Sequence, residues 1–163
     1  MTKLGLQKVD PIPLHKYRNI KKGKMVICSP LKRVILSMPN NINYITDDSL
    51  KEVLFDLSKF TSAQEFSSNG SVLIRRKFKE FFIKDELPEK RNQIFRKIRI
   101  LLEKLQKIKE EEVVIVSHSF KLKLIEAYIK TRGRIEYEPE LIRKFIKDNK
   151  KTFQFEKGFS VKL

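Results

Sequence analysis

Two short stretches of this chain carry side chains that could handle an anion: Ser29-Pro30-Leu31-Lys32-Arg33 and Ser117-His118-Ser119. Each follows a short apolar run, Val26-Ile27-Cys28 in one case and Val114-Ile115-Val116 in the other, and each leads into residues with helical spacing. Arginine presents a planar fork of donors suited to the oxygens of a phosphate. A histidine beside it can donate a hydrogen bond or attack phosphorus. The hydroxyls of Ser29 and Ser119 and the free backbone N–H groups at a helix start would complete an anion cradle, which the helix dipole also favours. Taken singly, a histidine after a buried strand is more often a packing residue, and an arginine one turn into a helix is more often solvated. The pairing of two such turns is what points to a phosphoryl site. His15, the second of two histidines, stands in a loop near Pro13 and reads as a surface residue.

Such a site needs elements that bring the two turns together. Residues 24–28 and 113–116 read as strands rich in β-formers, and Ser29 and Pro30 are placed to cap and open the helix that follows the first of them. A further short strand is expected at 43–46. The stretch 47–60 has cap residues at Asp47 to Ser49 and apolar residues at helical spacing, with its full helicity left open. Residues 61–71, "TSAQEFSSNGS", have the most loop-like composition and are expected to be mobile; a helical pattern resumes from Val72. The strongest helix is expected from Pro88 to Ile108, with Ile94, Phe95, Ile98, Leu101, Leu102, Leu105 and Ile108 on one stripe. Helices are also expected at 119–131 and from Pro139 to Asn149. Residues 1–23 read as a brief helical turn and loop, and the last twelve residues as a hairpin about Lys157-Gly158. Strands alternating with helices make an α/β domain, three layers with a mainly parallel sheet and helices on both faces, and ligands in such folds bind beyond the carboxyl ends of the strands.

Composition bounds the function. The 163 residues suit one domain spanning 1–163, and 40% apolar content with twelve Phe is that of a folded protein. A formal charge of +16 attracts phosphates, nucleic acids and acidic surfaces without choosing among them. The single cysteine, Cys28, leaves no internal disulfide and no multi-thiolate metal site, and it fits a reducing cytoplasm. No apolar stretch approaches the ~20 residues of a membrane helix, so no membrane partner is expected, and separately no metal or other cofactor is expected.

The same residues resemble the histidine phosphatase superfamily, also called phosphoglycerate mutase-like. "VICSPLKRVILS" is similar to that family's strand leading into Ser-Pro-Leu-Lys-Arg, and "VVIVSHSFKLKLIEAYI" to its second-histidine segment. "SLKEVLFDL" resembles the piece carrying the acidic proton donor, which would be Glu52, and "RNQIFRKIRILLEKL" and "FEKGFSVKL" resemble the helix before the second histidine and the closing strand. The resemblance implies His118 and Glu52 as catalytic groups and Arg33, Ser29, His118 and Ser119 as phosphate ligands. One departure is large: the Arg-His-Gly of the family's first strand, which holds the nucleophile and a second phosphate-gripping arginine, does not occur here. "MTKLGLQ" instead resembles the Leu-Thr-x-x-Gly-x-x-Gln that follows that strand. The fold is therefore expected to lack the family's first strand. Pairing of "TFQFE" with "VVIVS", a strand from a partner chain, or a natural start upstream of Met1 would each repair the sheet.

Losing an oriented nucleophile removes the covalent route. The expectation is a protein that binds phosphate or a phosphorylated small molecule with little or no turnover. An active phosphomonoesterase using His118, His15 or an upstream-encoded histidine is the first alternative. A nucleic-acid-binding basic protein is the second, and it ranks lower because no nucleic-acid motif accompanies the charge.

Overall fold

The computed structural model describes residues 23–147 together with Tyr17, Ile20 and Ser160. His15, the first loop, the C-terminal hairpin and the end of the last helix fall wholly or mostly outside the described residues.

Among the described residues, strand β1 (Met25–Cys28) is the middle strand of a three-stranded sheet, with β2 (Ile45–Thr46) on one side and β3 (Val113–Val116) on the other, both parallel to it. The β-branched runs favour this extended pairing, and alternation along the strands divides their side chains between two cores. Met25 and Ile27 of β1 and Val113 and Ile115 of β3 face the larger core, while Val26, Cys28, Val114 and Val116 face the smaller one. Helix α1 (Lys32–Ser37) supplies Val34 to the smaller core, joined by Met38 and Ile42. The larger core is closed by α2 (Leu57–Phe60), α3 (Ala63–Lys84), α4 (Arg91–Gln106), α5 (Ser119–Lys130) and α6 (Pro139–Lys147). Helices thus lie on both faces of a parallel sheet, which is the expected α/β layering.

Several local expectations are corrected. Residues 61–71 are largely helical rather than a loop: α3 starts at Ala63, and Ser62 caps it in a reciprocal box, its hydroxyl accepting from the Glu65 N–H while the Glu65 carboxylate accepts from the Ser62 N–H. Gly70 breaks the run with φ 59° and ψ −152°, a conformation open only to glycine, so the segment is two helical pieces joined at a bend. The 47–60 stretch forms a 3-10 turn at Asp48–Leu50, capped by the Asp47 carboxylate, then irregular backbone, then α2. Strand β2 is two residues long rather than four. Helix α1 does not start at Pro30 under a Ser29 cap; Leu31 is its flanking residue and Lys32 its first. The Ser29 hydroxyl is committed elsewhere, as described next.

Candidate functional site

Pairing of β1 with β3 sets the site. Cys28 lies opposite Val116, and the Ser29 N–H donates to the Val116 carbonyl at 2.9 Å, so the two following turns leave the sheet side by side. Arg33, in the first turn of α1, reaches across to His118: its Nε and Nη2 lie 3.0 and 2.8 Å from His118 Nδ1. The two expected anchors, 85 residues apart in the chain, do converge.

The protons on the ring follow from that contact. A guanidinium is always charged and can only donate, so Nδ1 carries a lone pair and the single proton of a neutral imidazole is on Nε2. Nε2 then donates to Ser29 Oγ at 2.9 Å, and the same oxygen accepts from the Leu31 N–H at 3.3 Å. This is where the expected cap residue spends its hydroxyl. His118 is 6% exposed and Ser29 fully buried. Burial, then the charges of Arg33 and Lys121, push the His118 pKa down from 6.5 to about 3, so the ring is neutral at ordinary pH.

His118 is also the residue from which α5 starts. Its side chain does not cap the helix, and no acidic residue stands in the first turn. The first N–H groups of α5 therefore have no side-chain acceptor on this helix and keep the partial positive charge of a helix start. Ser119 Oγ, in that first turn, is buried and has no hydrogen-bond partner. A buried hydroxyl without a partner costs about 1–3 kcal/mol, and an incoming oxyanion would recover it. The expected second helix start contributes less, since α1 is only six residues long. The first turn of α5 is held from behind by Phe120, whose ring packs edge-on against Phe78 and Phe82 at 4.8 and 5.3 Å between centroids.

Glu52 joins the site through the neighbouring turn. The Ser117 hydroxyl donates to the Leu50 carbonyl at 2.6 Å, which ties the second site turn to the 3-10 turn two residues before Glu52. The Glu52 carboxylate accepts from the Val53 N–H. The residue as a whole is half-buried, but its carboxyl end is turned inward, and burial raises its pKa against the opposing pull of that N–H, Arg33 and Lys121. A carboxyl that holds its proton longer than usual has one of the properties a proton donor requires.

Sequence reasoning missed two members of the cluster. Lys121 is 1% exposed, and burial lowers its pKa although Glu89 and Glu52 oppose the shift. Glu89, also buried, accepts from the Leu54 N–H at 3.2 Å and from Lys97 Nζ at 2.6 Å. The signal for Lys121 was its phase: it shares the buried stripe of α5 with Leu124 and Ile125, where a lysine is out of place unless carboxylates await it.

A hollow of about 420 Å³ lies at the other end of the sheet, lined by Gly23, Lys24, Met25, Asn41, Ile42, Asn43 and Glu110, away from every group above. The Arg33–His118 contact lies at the opposite edge, beyond the carboxyl ends of β1 and β3. Among the described residues no helix is long and apolar enough to cross a membrane. No protein-family model matches this chain, and no curated protein or solved structure is significantly similar to it.

Proposed function

We propose that this chain is a degenerate histidine phosphatase-like domain, phosphoglycerate mutase-like in fold, that binds phosphate or a phosphorylated small molecule in the cytoplasm with little or no turnover. The observation that carries the reading is the docking of the Arg33 guanidinium on the His118 imidazole at adjacent strand ends, against the start of α5. The buried, unpartnered Ser119 hydroxyl supports it. Arg33, Ser119 and the first amides of α5 hold the anion, His118 faces it, and Ser29 stands behind the ring. In the resting site the Nδ1 lone pair is covered by two arginine N–H donors and Nε2 carries a hydrogen aimed at Ser29, so neither nitrogen is a poised nucleophile, which supports low turnover. Phosphate binding measured by calorimetry should weaken roughly 100-fold in Arg33→Ala, the loss of a charge-assisted fork. Unchanged binding in that variant would refute the site.

The raised pKa of Glu52 beside Arg33 favours one competing reading, an active phosphomonoesterase with Glu52 as proton donor. Hydrolysis of an aryl phosphate that vanishes in His118→Ala would establish it. Absence of turnover from about pH 4 to about pH 9 would end it. The nucleic-acid reading stays the second alternative; on α4, Arg91, Lys97, Arg99 and Lys104 each pair with a carboxylate, namely Asp85, Glu89, Glu136 and Asp47, which moderates the local charge of that helix.

A further inference from the structure

An anion that takes the donors of Arg33 leaves His118 in an awkward state. In the resting arrangement Nδ1 faces the site as a lone pair, stabilised because Arg33 Nε and Nη2 donate to it. Once those donors turn to the ligand, an ionised oxygen would meet that lone pair, and two acceptors facing each other repel. His118 can become a donor in two ways. It can gain a proton and charge, or it can keep its charge and exchange the positions of proton and lone pair.

The surroundings distinguish the two. Arg33 from α1 and Lys121 from α5 both face the ring with positive charge, and the ring is 6% exposed, so gaining a proton is opposed from two elements and by burial. The carboxylates Glu52 and Glu89 act on Lys121, and Glu89 is already paired with Lys97. Exchange costs little provided that the atom beyond Nε2 can change from acceptor to donor. Ser29 Oγ, 2.9 Å away and fully buried, is a hydroxyl and can do so. It keeps the Leu31 N–H as a donor at 3.3 Å in either state, which holds the oxygen in place while its hydrogen rotates.

We propose that Ser29 is a positioning residue that sets which nitrogen of His118 carries the proton, accepting from Nε2–H in the resting site and donating to Nε2 when an anion binds, so that Nδ1–H faces the ligand. The inference rests on the phosphate-binding reading above. The exchange is balanced: Nε2 gives one proton to solvent, Nδ1 gains one from solvent, and the ring's charge does not change. Ser29 never touches the ligand, in contrast to the direct role its sequence position implies.

The test is 15N NMR of the His118 ring in the full chain, with and without inorganic phosphate at about pH 8, where an unperturbed imidazole is neutral. Without phosphate the spectrum should show Nε2 protonated and Nδ1 bare, and with saturating phosphate the pattern should invert. Calorimetry in two buffers of different ionisation enthalpy should show no net uptake of a proton by the protein's histidine. Ser29→Ala should weaken phosphate binding about tenfold with Arg33 intact and leave a mixture of ring forms in the complex. Ser29→Thr, which keeps the hydroxyl, should restore the inverted pattern and bring affinity within about threefold of the natural chain. Phosphate that binds without changing the ring pattern, or that binds with His118 turning into imidazolium, overturns the proposal and leaves the phosphate reading standing. Absence of phosphate binding to the natural chain removes both.

Discussion

The turn after β1 and the turn after β3 begin alike and diverge within three residues. A serine follows each strand, yet Ser29 Oγ accepts from a ring and a backbone amide, whereas Ser117 Oγ donates to the Leu50 carbonyl. The first turn leads to a six-residue helix and delivers Arg33, a guanidinium that can only donate. The second leads to a twelve-residue helix and delivers His118, whose charge the first turn suppresses. One turn is a fixed electrostatic source and the other a group that responds to it. The difference lies in what each serine is bonded to, which neither tripeptide reveals by itself.

The largest expected effect tests the suppressed charge. The folded pKa of His118 lies near 3 and its ordinary value is 6.5, so the unfolded chain binds a proton in that window and the folded chain does not. Stability from this group is therefore complete above pH 6.5 and is lost as pH falls towards 3, by up to roughly 5 kcal/mol. Urea unfolding across that range should show the slope, and His118→Gln should flatten it. Arg33→Met removes one of the two opposing charges, so an NMR titration should find the His118 pKa higher than in the natural chain while burial keeps it below 6.5.

The two serines should separate next. Ser29→Ala strips a buried imidazole N–H and the Leu31 N–H of their shared acceptor and should cost about 2 kcal/mol. Ser117→Ala removes a single bond to a carbonyl and should cost about 1 kcal/mol in the same denaturation assay. Equal costs would mean that the Ser29 bonds are not maintained in solution.

The smallest effect concerns Glu52, which feels both turns through Arg33 and Lys121. Its folded pKa is raised above 4.5, so the contribution it makes at low pH is lost as pH rises through the folded value. Glu52→Gln avoids that loss and should raise the melting temperature at about pH 8 by about 2 °C. A lower melting temperature would show that the carboxylate chiefly compensates Lys121.

Strands β1 and β3 and the stripe of α4 were legible because short runs of β-forming apolar residues and 3.6-residue periodicity follow directly from burial. The convergence of Arg33 and His118 was legible for a related reason: parallel neighbours of equal length end at the same edge. The start of α3 was written in Ser62-Ala63-Gln64-Glu65, a capping box, but the Ser, Asn and Gly content of 61–71 obscured it. The clasp of Arg33 on His118 could not be read, since a long side chain's pose depends on distances that only the folded chain defines. Lys121 and Glu89 were hidden for another reason: charged residue types suggest solvent, and only their burial makes them a cluster.

The residue-for-residue match of Met25–Cys28 with Val113–Val116 constrains how this gene could drift. A codon inserted into either strand would rotate everything beyond it to the opposite face, sending the serine and the imidazole to different sides of the sheet. The connection at 107–112 sits before that phase is established, so length changes there should be accepted. Insertional scanning should find both four-residue strands intolerant and the 107–112 connection permissive.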